Sequence, residues 1–165
     1  AEINSLTPFQ KNIKRVGEIV SSRHLVLESE LASTFCQVNI EQMKTILIID
    51  DEPLVRLLIK KDLEKQGYHI ETASDGEEGW DKILEIQPEL VITDLNMPGL
   101  YGLELLERIR NDDRTKTVPV LCVTSDSNID TKQRAVLLKA TGWVQKPFNS
   151  QTWSTALNQI LGGPD

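Results

Sequence analysis

The apolar pattern of the chain predicts five strands, each followed by an amphipathic helix. The first apolar run begins with five consecutive β-branched or apolar residues, Thr45 to Ile49, as is typical of a strand that is buried on both faces of a parallel sheet. Four further strand-like runs follow along the chain. The predicted strands are residues 45–50, 68–72, 89–94, 118–123 and 142–146.

The segments after these runs carry apolar residues at intervals of three and four, which indicates amphipathic helices. These stripes are Val55, Leu58, Ile59 and Leu63 in the first helix, Leu103, Leu106 and Ile109 in the third, Ile129, Gln133, Val136 and Ala140 in the fourth, and Trp153, Ala156, Leu157 and Ile160 in the fifth. Ser74 and Asp75 can cap the second helix, which is predicted to run to about Ile86. Gly67 and Gly162 are expected to end the first and fifth helices. Five such units predict an α/β fold with a parallel sheet and helices on both faces.

Residues 1–42 do not follow this alternation. Their apolar residues have helical spacing, which predicts a helical extension of one or two amphipathic helices. Such helices must cover their apolar stripe by packing on the main domain, on each other, or on a second chain as a homodimer. The residues Met43 to Thr45 look like a natural protein start. Residues 1–42 are therefore interpreted as the tail of an upstream region or as a segment joined to a self-contained domain, residues 43–163.

Composition and charge narrow the classes of function. The chain has 165 residues and a formal net charge of −7, which argues against nonspecific nucleic-acid binding. No apolar run approaches the length of a membrane span, and no signal peptide is visible. Cys36 and Cys122 lack the spacing of metal ligands, and the apolar surroundings of Cys122 predict a buried, inert thiol. These features are typical of a protein of the reducing cytoplasm.

Polar side chains stand where four of the predicted strands end. They are Asp50 and Asp51 after the first strand, Asp94 at the end of the third, Thr124 and Ser125 after the fourth, and Lys146 after the fifth. The carboxyl ends of parallel strands meet at one edge of the sheet, where ligands of such folds bind. Adjacent carboxylates repel each other at that edge unless a cation lies there, so the pattern predicts a site for a hard cation.

These residues carry a resemblance to a known family. Residues 43–163 resemble a receiver domain of the two-component response regulator family. The motifs are Asp50-Asp51, the run Asp94 to Gly99, Gly102, Thr124, and Lys146-Pro147-Phe148. The resemblance implies a flavodoxin-like (βα)5 three-layer sandwich with a five-stranded parallel sheet in the order 2-1-3-4-5.

The resemblance also implies a role for each acid. Asp94 would be the phosphoacceptor, a nucleophile that forms an acyl phosphate. Asp51 and Asp94 would bind Mg²⁺ directly, together with the backbone carbonyl of Asn96, and Asp50 would hold the ion through water. The metal would neutralise the acids and the charge that develops on the phosphoryl group.

Two further residues would contact the phosphoryl group. Lys146 would pair with Asp94 at rest and with a phosphoryl oxygen afterwards, and Thr124 would donate its hydroxyl to another. The resemblance makes Lys146–Pro147 a candidate cis peptide bond.

The resemblance implies a switch that couples the position of Thr124 to the shape of a protein-binding surface. Thr124 would move toward the phosphate, and Trp143 would turn inward into the space that it leaves; a half-buried packing role is the alternative for Trp143. The surface formed by residues 128–162 would then bind a downstream target protein. The resemblance would place Asn96 and Asp126 near the phosphate, and from it we expect comparatively fast self-dephosphorylation.

Three functions remain open at this point. The first is a phosphorylation switch, not an enzyme with an external substrate, that is phosphorylated by a histidine kinase or a histidine phosphotransfer protein. The second is a receiver module excised from a larger hybrid kinase or multidomain regulator. The third is a Mg²⁺-dependent aspartyl phosphatase, since Glu52 follows Asp50 by two residues, although Asp94 and Lys146 would then have no explanation.

Overall fold

The computed structural model describes residues 43–97, 102–125 and 129–162, in which five strands alternate with five helices. The strands are β1 (Thr45–Ile49), β2 (His69–Ala73), β3 (Leu90–Asp94), β4 (Val120–Thr124) and β5 (Gly142–Gln145). The helices are α1 (Pro53–Lys65), α2 (Gly76–Ile86), α3 (Gly102–Asn111), α4 (Ile129–Leu137) and α5 (Ser150–Leu161). No helix in these ranges is long and apolar enough to cross a membrane. The predicted extension, residues 1–42, lies outside the described residues.

The five strands form one parallel sheet in the order β2-β1-β3-β4-β5, which confirms the predicted topology. In the register of the sheet, Asp94 of β3 pairs with Val123 of β4, and Thr124 pairs with Gln145 of β5. The carboxyl ends of these three strands therefore lie level with one another. This alignment brings the polar residues at the strand ends to one edge of the sheet.

Helices bury both faces of the sheet, as the apolar runs predicted. Alternate residues of β1 point to opposite faces, with Leu47 and Ile49 in one apolar cluster and Ile46 and Ile48 in the other. The first cluster packs against α2 and α3, and the second against α1 and α5. Each large aliphatic side chain buried in this way contributes about 1.5–3 kcal/mol relative to exposure. These two cores fix the strands that carry the polar edge.

The predicted cap of α2 is confirmed at Asp75. Its carboxylate accepts hydrogen bonds from the backbone N–H groups of Glu77 and Glu78, which α2 itself leaves unpaired. The Glu78 carboxylate in turn accepts from the backbone N–H and the hydroxyl of Ser74, at 2.7 and 2.8 Å. These two hydrogen bonds lower the pKa of Glu78. The negative charges of Glu77 and Glu78 also suit the positive end of the helix dipole.

The apolar stripe predicted for α1 is wrong at Leu58. Ile59 and Leu63 are buried against the sheet, whereas the Leu58 side chain is 54% exposed. Residues four apart share one face of a helix, and Leu58 is turned about 100° away from Ile59. The spacing of three and four did not decide which leucines face the core.

The fourth helix also ends earlier than its stripe predicted. It stops at Leu137, and Lys139 has a left-handed backbone with φ of 57°. Ala140 therefore lies outside the helix, where its N–H donates to the carbonyl of Ala135. The guanidinium of Arg110 donates from two nitrogens to the Lys139 carbonyl, at 3.2 and 3.0 Å, and so holds this turn to α3. A tertiary contact thus fixes an end that the sequence pattern left open.

Candidate functional site

The polar edge of the sheet assembles residues from four strands. Asp50 follows β1, Asp94 ends β3, Thr124 ends β4, and Lys146 follows β5. The backbone N–H of Lys146 donates to the carbonyl of Thr124 at 2.9 Å, which extends the pairing of β4 and β5 by one step. The Lys146–Pro147 bond is cis, as expected. These residues come together although up to 96 positions separate them in the chain.

Three carboxylates meet at this edge. Asp50, Asp51 and Asp94 each offer a carboxylate oxygen, and these oxygens lie within 4.8 Å of one another. Asp50 is 2% and Asp94 5% exposed, whereas Asp51 is exposed to solvent. Oxygen donors with one side open to water suit Mg²⁺, which prefers carboxylates and keeps several waters. The donor set therefore fits the cation that the sequence predicted.

Burial makes the charge of Asp50 costly. It raises the pKa of Asp50, and the nearby charge of Asp94 raises it further, against the lowering effect of hydrogen bonds from the Glu52 backbone and from Lys146. The cluster has three carboxylates, and the Lys146 ammonium contacts two of them. A divalent cation would relieve this imbalance, which is a second observation in favour of a metal site.

Lys146 contacts two of the three acids. Its ammonium lies 2.9 Å from Asp94 Oδ2 and 3.1 Å from Asp50 Oδ2, and 3.6 Å from a carboxylate oxygen of Glu52. Burial alone would lower the pKa of Lys146, but the hydrogen bonds to Asp94 and Asp50 outweigh it, so that the pKa lies above that of a free lysine. The predicted contact with Asp94 is present, and the contact with Asp50 was not foreseen.

Asn96 touches both the acid and the hydroxyl of the site. Its backbone N–H donates to Asp94 Oδ1 at 2.9 Å, and its side-chain amide lies 3.4 Å from the hydroxyl of Thr124. Thr124 is fully buried. The proposed metal contact of the Asn96 carbonyl stays a prediction, and Asp126 lies outside the described residues.

Gly102 lets α3 pack closely against the end of β3 that carries Asp94. A Cβ at this position would lie 2.2 Å from the carbonyl oxygen of Asp94 and 2.8 Å from the Cα of Leu95. The first residue of α3 can therefore approach the end of β3 only because it has no side chain. This contact gives a physical reason for one glycine of the motif.

Trp143 is the exposed tryptophan of the chain. Its side chain is 46% exposed, whereas Trp80 and Trp153, the other two tryptophans, are 6% and 0% exposed. Trp143 lines an apolar cleft of about 390 Å³ together with residues of α4. The cleft is lined by Ile129, Lys132, Gln133, Val136, Leu137 and Trp143.

Sequence reasoning missed an apolar patch on α1, the helix that follows Asp50 and Asp51 in the chain. Leu54, Leu57 and Leu58 of α1 are 65%, 46% and 54% exposed, and α1 begins three residues after Asp50. We call these three residues the α1 leucine patch. The signal was present in the sequence, because α1 has more apolar residues than one buried stripe needs.

The buried thiol predicted for Cys122 is also confirmed. Cys122 is fully buried, and burial raises the pKa of its thiol to about 12, which keeps it unreactive. His69 lies half-exposed at the start of β2, 3.3 Å from Glu71. Neither residue joins the acids.

The comparison with protein families decides which family the chain belongs to. The model of the response regulator receiver domain matches residues 46–158, a region that contains every acid of the cluster and Lys146. The chain belongs to the response regulator receiver family. As a receiver, it is a phosphoacceptor domain of two-component signal transduction.

The receiver is similar to regulators of different lengths. It is 33% identical over 123 residues to the DNA-binding dual master transcriptional regulator RpaA of Synechocystis, and the match covers 74% of this chain and 51% of RpaA. It is 31% identical over 122 residues to the chemotaxis protein CheY1 of Helicobacter pylori, covering 73% of this chain and 98% of CheY1. The receiver thus spans about half of the first relative and nearly all of the second.

The chain is also similar to a small part of a much longer protein. The hybrid signal transduction histidine kinase D of Dictyostelium discoideum is 32% identical over 115 residues, which are 70% of this chain and 7% of the kinase. Among solved structures, the chemotaxis protein CheY4 of Vibrio cholerae superposes with a TM-score of 0.69 at 34% identity, covering 72% of this chain and 99% of CheY4. These likenesses support the fold and the family.

Replacing Lys146 with methionine is expected to destabilise the metal-free receiver by about 3 kcal/mol at pH 7, because Asp50 and Asp94 would keep buried charges without their cation. The folded-state pKa of Asp50 is raised above its ordinary value of 3.8, so protonated Asp50 favours the folded state and its ionisation disfavours it. Loss of Lys146 removes a hydrogen bond and a charge that lower this pKa, so the pKa of Asp50 rises further in the variant, and the stability loss should shrink as the pH falls from 7 through that raised pKa. Urea unfolding in EDTA at several pH values measures it; a loss that grows on acidification would contradict this account.

Proposed function

We propose that Asp94 accepts a phosphoryl group from a histidine kinase or a histidine phosphotransfer protein and that this step switches a protein-binding face. The observation that carries the proposal is the environment of Asp94. Its carboxylate lies at the end of β3, within reach of the Lys146 ammonium and beside the Asp50 and Asp51 carboxylates. Phosphoryl transfer to a carboxylate needs a nucleophilic acid, a positively charged side chain such as the Lys146 ammonium, and further acids that can bind a metal ion.

In the proposed reaction, a carboxylate oxygen of Asp94 attacks the phosphorus, and the bond between the phosphorus and the histidine nitrogen of the donor breaks. Asp51 and Asp94, with the Asn96 carbonyl, would hold Mg²⁺ directly and Asp50 would hold it through water. The bound ion would neutralise the charge on the transferring group. Lys146 then exchanges its contact with Asp94 for a phosphoryl oxygen, and Thr124 donates its hydroxyl to another. The lysine contact with Asp50 keeps its ammonium at the site during this exchange.

The proposed switch uses the cleft beside Trp143. Thr124 ends β4 and pairs with Gln145 of β5, and Trp143 lies two residues before Gln145 on the same strand. A shift of Thr124 toward the phosphate would leave space into which the indole turns. The apolar cleft lined by Ile129 and Val136 would then change shape, and with it the target-binding face at residues 128–162.

Replacing Trp143 with phenylalanine is expected to remove most of the fluorescence that iodide can quench, because the other two tryptophans are buried. In the wild type, beryllofluoride with Mg²⁺ should reduce this iodide-accessible fraction as the indole turns inward. Quenching that is equal before and after beryllofluoride would argue against the indole switch. Quenching that persists in Trp143→Phe would show that Trp80 or Trp153 is accessible in solution.

Two residues are proposed to tune the lifetime of the phosphoryl group. Asn96 contacts Asp94 and approaches Thr124, and Asp126 follows Thr124 by two residues. We propose comparatively fast self-dephosphorylation through these side chains. A phosphoryl lifetime of many hours in Mg²⁺ would reject this part of the proposal.

The receiver would act through partner proteins. The α1 leucine patch lies on the helix that begins three residues after Asp50. We propose that the phosphodonor protein docks there, whereas the target binds the face at residues 128–162. A homodimer held by residues 1–42 is a further proposal, which the mass in solution of the chain with and without these residues would test. The likeness to a hybrid kinase favours the alternative that this receiver is one module of a larger protein.

The test of the proposed function is the incorporation of phosphate by the full chain. Incubation with acetyl phosphate and Mg²⁺ should add one phosphoryl group, and mapping after borohydride reduction should locate it at Asp94. Omission of Mg²⁺ should prevent it. No addition, or addition at another residue, would overturn the proposal. Turnover of phosphate monoesters by the same preparation would instead support the aspartyl phosphatase.

A further inference from the structure

The side chain of Arg56 reaches back from α1 to the strand end that carries the acids. Its Nη1 donates to the backbone carbonyl of Asp50 at 2.5 Å, and its own backbone N–H donates to the carbonyl of Glu52 at 3.1 Å. Arg56 therefore fastens the first turn of α1 to the residue at which the chain leaves the sheet. The guanidinium contacts a carbonyl here, and the described contacts do not bring it to any of the three carboxylates.

The three acids of the cluster are held in different ways. The Asp94 carboxylate accepts from Lys146 and from the backbone of Asn96, and the Asp50 carboxylate accepts from Lys146 and from the backbone of Glu52. Among the described residues, no hydrogen bond or ion pair holds the carboxylate of Asp51. Its direction consequently depends on the backbone that carries it.

That backbone is the peptide plane that Arg56 holds. The Asp50 carbonyl and the Asp51 N–H belong to one planar group, so turning the carbonyl turns the Cα of Asp51 with it. A charge-assisted hydrogen bond to this carbonyl restrains the plane more firmly than water would. The restraint reaches the metal site without Arg56 touching a metal ligand atom.

We propose that Arg56 is a positioning residue of the metal site, which acts through the Asp50 carbonyl to aim the exposed carboxylate of Asp51. This inference rests on the proposed function, because it concerns the same cation. It assigns a role to a residue that is not one of the three acids and is neither Thr124 nor Lys146. It also explains why a guanidinium lies close to an acidic edge without an acid as its partner.

The direction in which an Arg56 substitution changes metal affinity distinguishes a positioning role from simple electrostatic repulsion. A positive charge near a cation site repels the cation, so a neutral replacement of Arg56 would strengthen metal binding if charge alone mattered. Loss of positioning acts in the opposite direction, since groups that orient metal ligands are typically worth 10- to 100-fold in affinity. The two explanations therefore predict opposite changes.

The experiment measures Mn²⁺ binding to the full chain by electron paramagnetic resonance, with Mg²⁺ as competitor. Arg56→Met, which keeps the aliphatic length, should weaken binding about 10- to 100-fold. Arg56→Lys, which keeps the charge and one donor, should lie between Arg56→Met and the wild type. The matched control is Arg114→Met: Arg114 binds Asp112 of its own loop, and its loss removes the same charge elsewhere.

Each outcome bears on the inference. Wild-type or tighter Mn²⁺ binding by Arg56→Met overturns it, and so does an equal weakening by Arg114→Met. If Arg56→Met does not fold, as judged by circular dichroism in EDTA, Arg56→Lys decides, because charge alone predicts no change for it. If the wild type binds Mn²⁺ and is phosphorylated, and Arg56→Met binds Mn²⁺ equally well, only this inference is refuted. A wild type that binds no Mn²⁺ refutes the proposed function itself.

Discussion

Replacing Asp94 with alanine is expected to reduce phosphate incorporation by more than about a thousandfold, to the level of the uncatalysed background. The physical reason is the loss of the attacking oxygen: Asp50 and Asp51 remain, but Asp50 is buried against Lys146 and the Glu52 backbone. The beryllofluoride-dependent change in tryptophan fluorescence should disappear with it. Mass spectrometry after incubation with acetyl phosphate and Mg²⁺ measures the first effect, and a fluorescence titration the second.

The control for this variant is Asp81→Ala, which removes an exposed acid from α2 and changes the net charge by the same amount. It should be phosphorylated like the wild type. Both variants should retain a cooperative unfolding transition, which excludes loss of fold as the cause. Phosphate found on Asp94→Ala at close to the wild-type level would mean that the nucleophile is another residue.

Replacing Gly102 with alanine is expected to destabilise the receiver by more than about 3 kcal/mol, since overpacking against rigid atoms lies at the costly end of core substitutions. The new Cβ would lie 2.2 Å from the Asp94 carbonyl oxygen and 2.8 Å from the Leu95 Cα. Both are backbone atoms, so α3 or the end of β3 must move as a whole. Any variant that still folds should also phosphorylate poorly, because that movement displaces Asp94. Urea unfolding measures the stability loss.

Gly79→Ala provides the matched comparison. Its Cβ would come within 2.5 Å of Ile49 Cδ1, the far end of a side chain that can rotate. Alanine also favours the helical state over glycine by about 1 kcal/mol, which offsets part of the repacking. We therefore expect a loss of no more than about 1 kcal/mol. A similar stability for both alanine variants would show that the end of β3 yields more easily than its contacts indicate.

The two substitutions probe one connection between the fold and the chemistry. Asp94 ends β3, and its carbonyl touches α3 through Gly102 while its carboxylate faces Lys146. The same residue thus belongs to the packing of the sheet edge and to the reactive cluster. A change in the packing of α3 is therefore expected to reach Asp94, the proposed phosphoacceptor, directly.

The fold could be predicted from the sequence because the patterns that indicate its strands and helices are local. An unbroken apolar run such as Thr45 to Ile49 has few ways to become buried other than as an inner strand, and five such units with helices between them favour a parallel sheet. The ends of elements were less certain. The end of α4 depends on a hydrogen bond from Arg110, and the exposure of Leu58 depends on which side of α1 meets the sheet.

The sequence predicted which polar residues lie at the sheet edge and the contact of Lys146 with Asp94, but not the other contacts. Parallel strands bring their carboxyl ends to one edge, so the residues at those ends could be named from the sequence, and the resemblance assigned their roles. The sharing of Lys146 between Asp94 and Asp50 could not be named, because it depends on the side-chain positions of three separate strand ends. The same holds for Arg56, whose partner is a backbone carbonyl.

The sequence by itself determined the layers, the strand order implied by the family, and the set of polar residues at the edge, because each rests on periodicity or on short motifs. Only the tertiary structure decided how these residues divide the charge: that Lys146 contacts Asp50 as well as Asp94, and that burial raises the pKa of Asp50. Burial and hydrogen bonding at the site arise from residues far apart in the chain, and no local pattern encodes their distances.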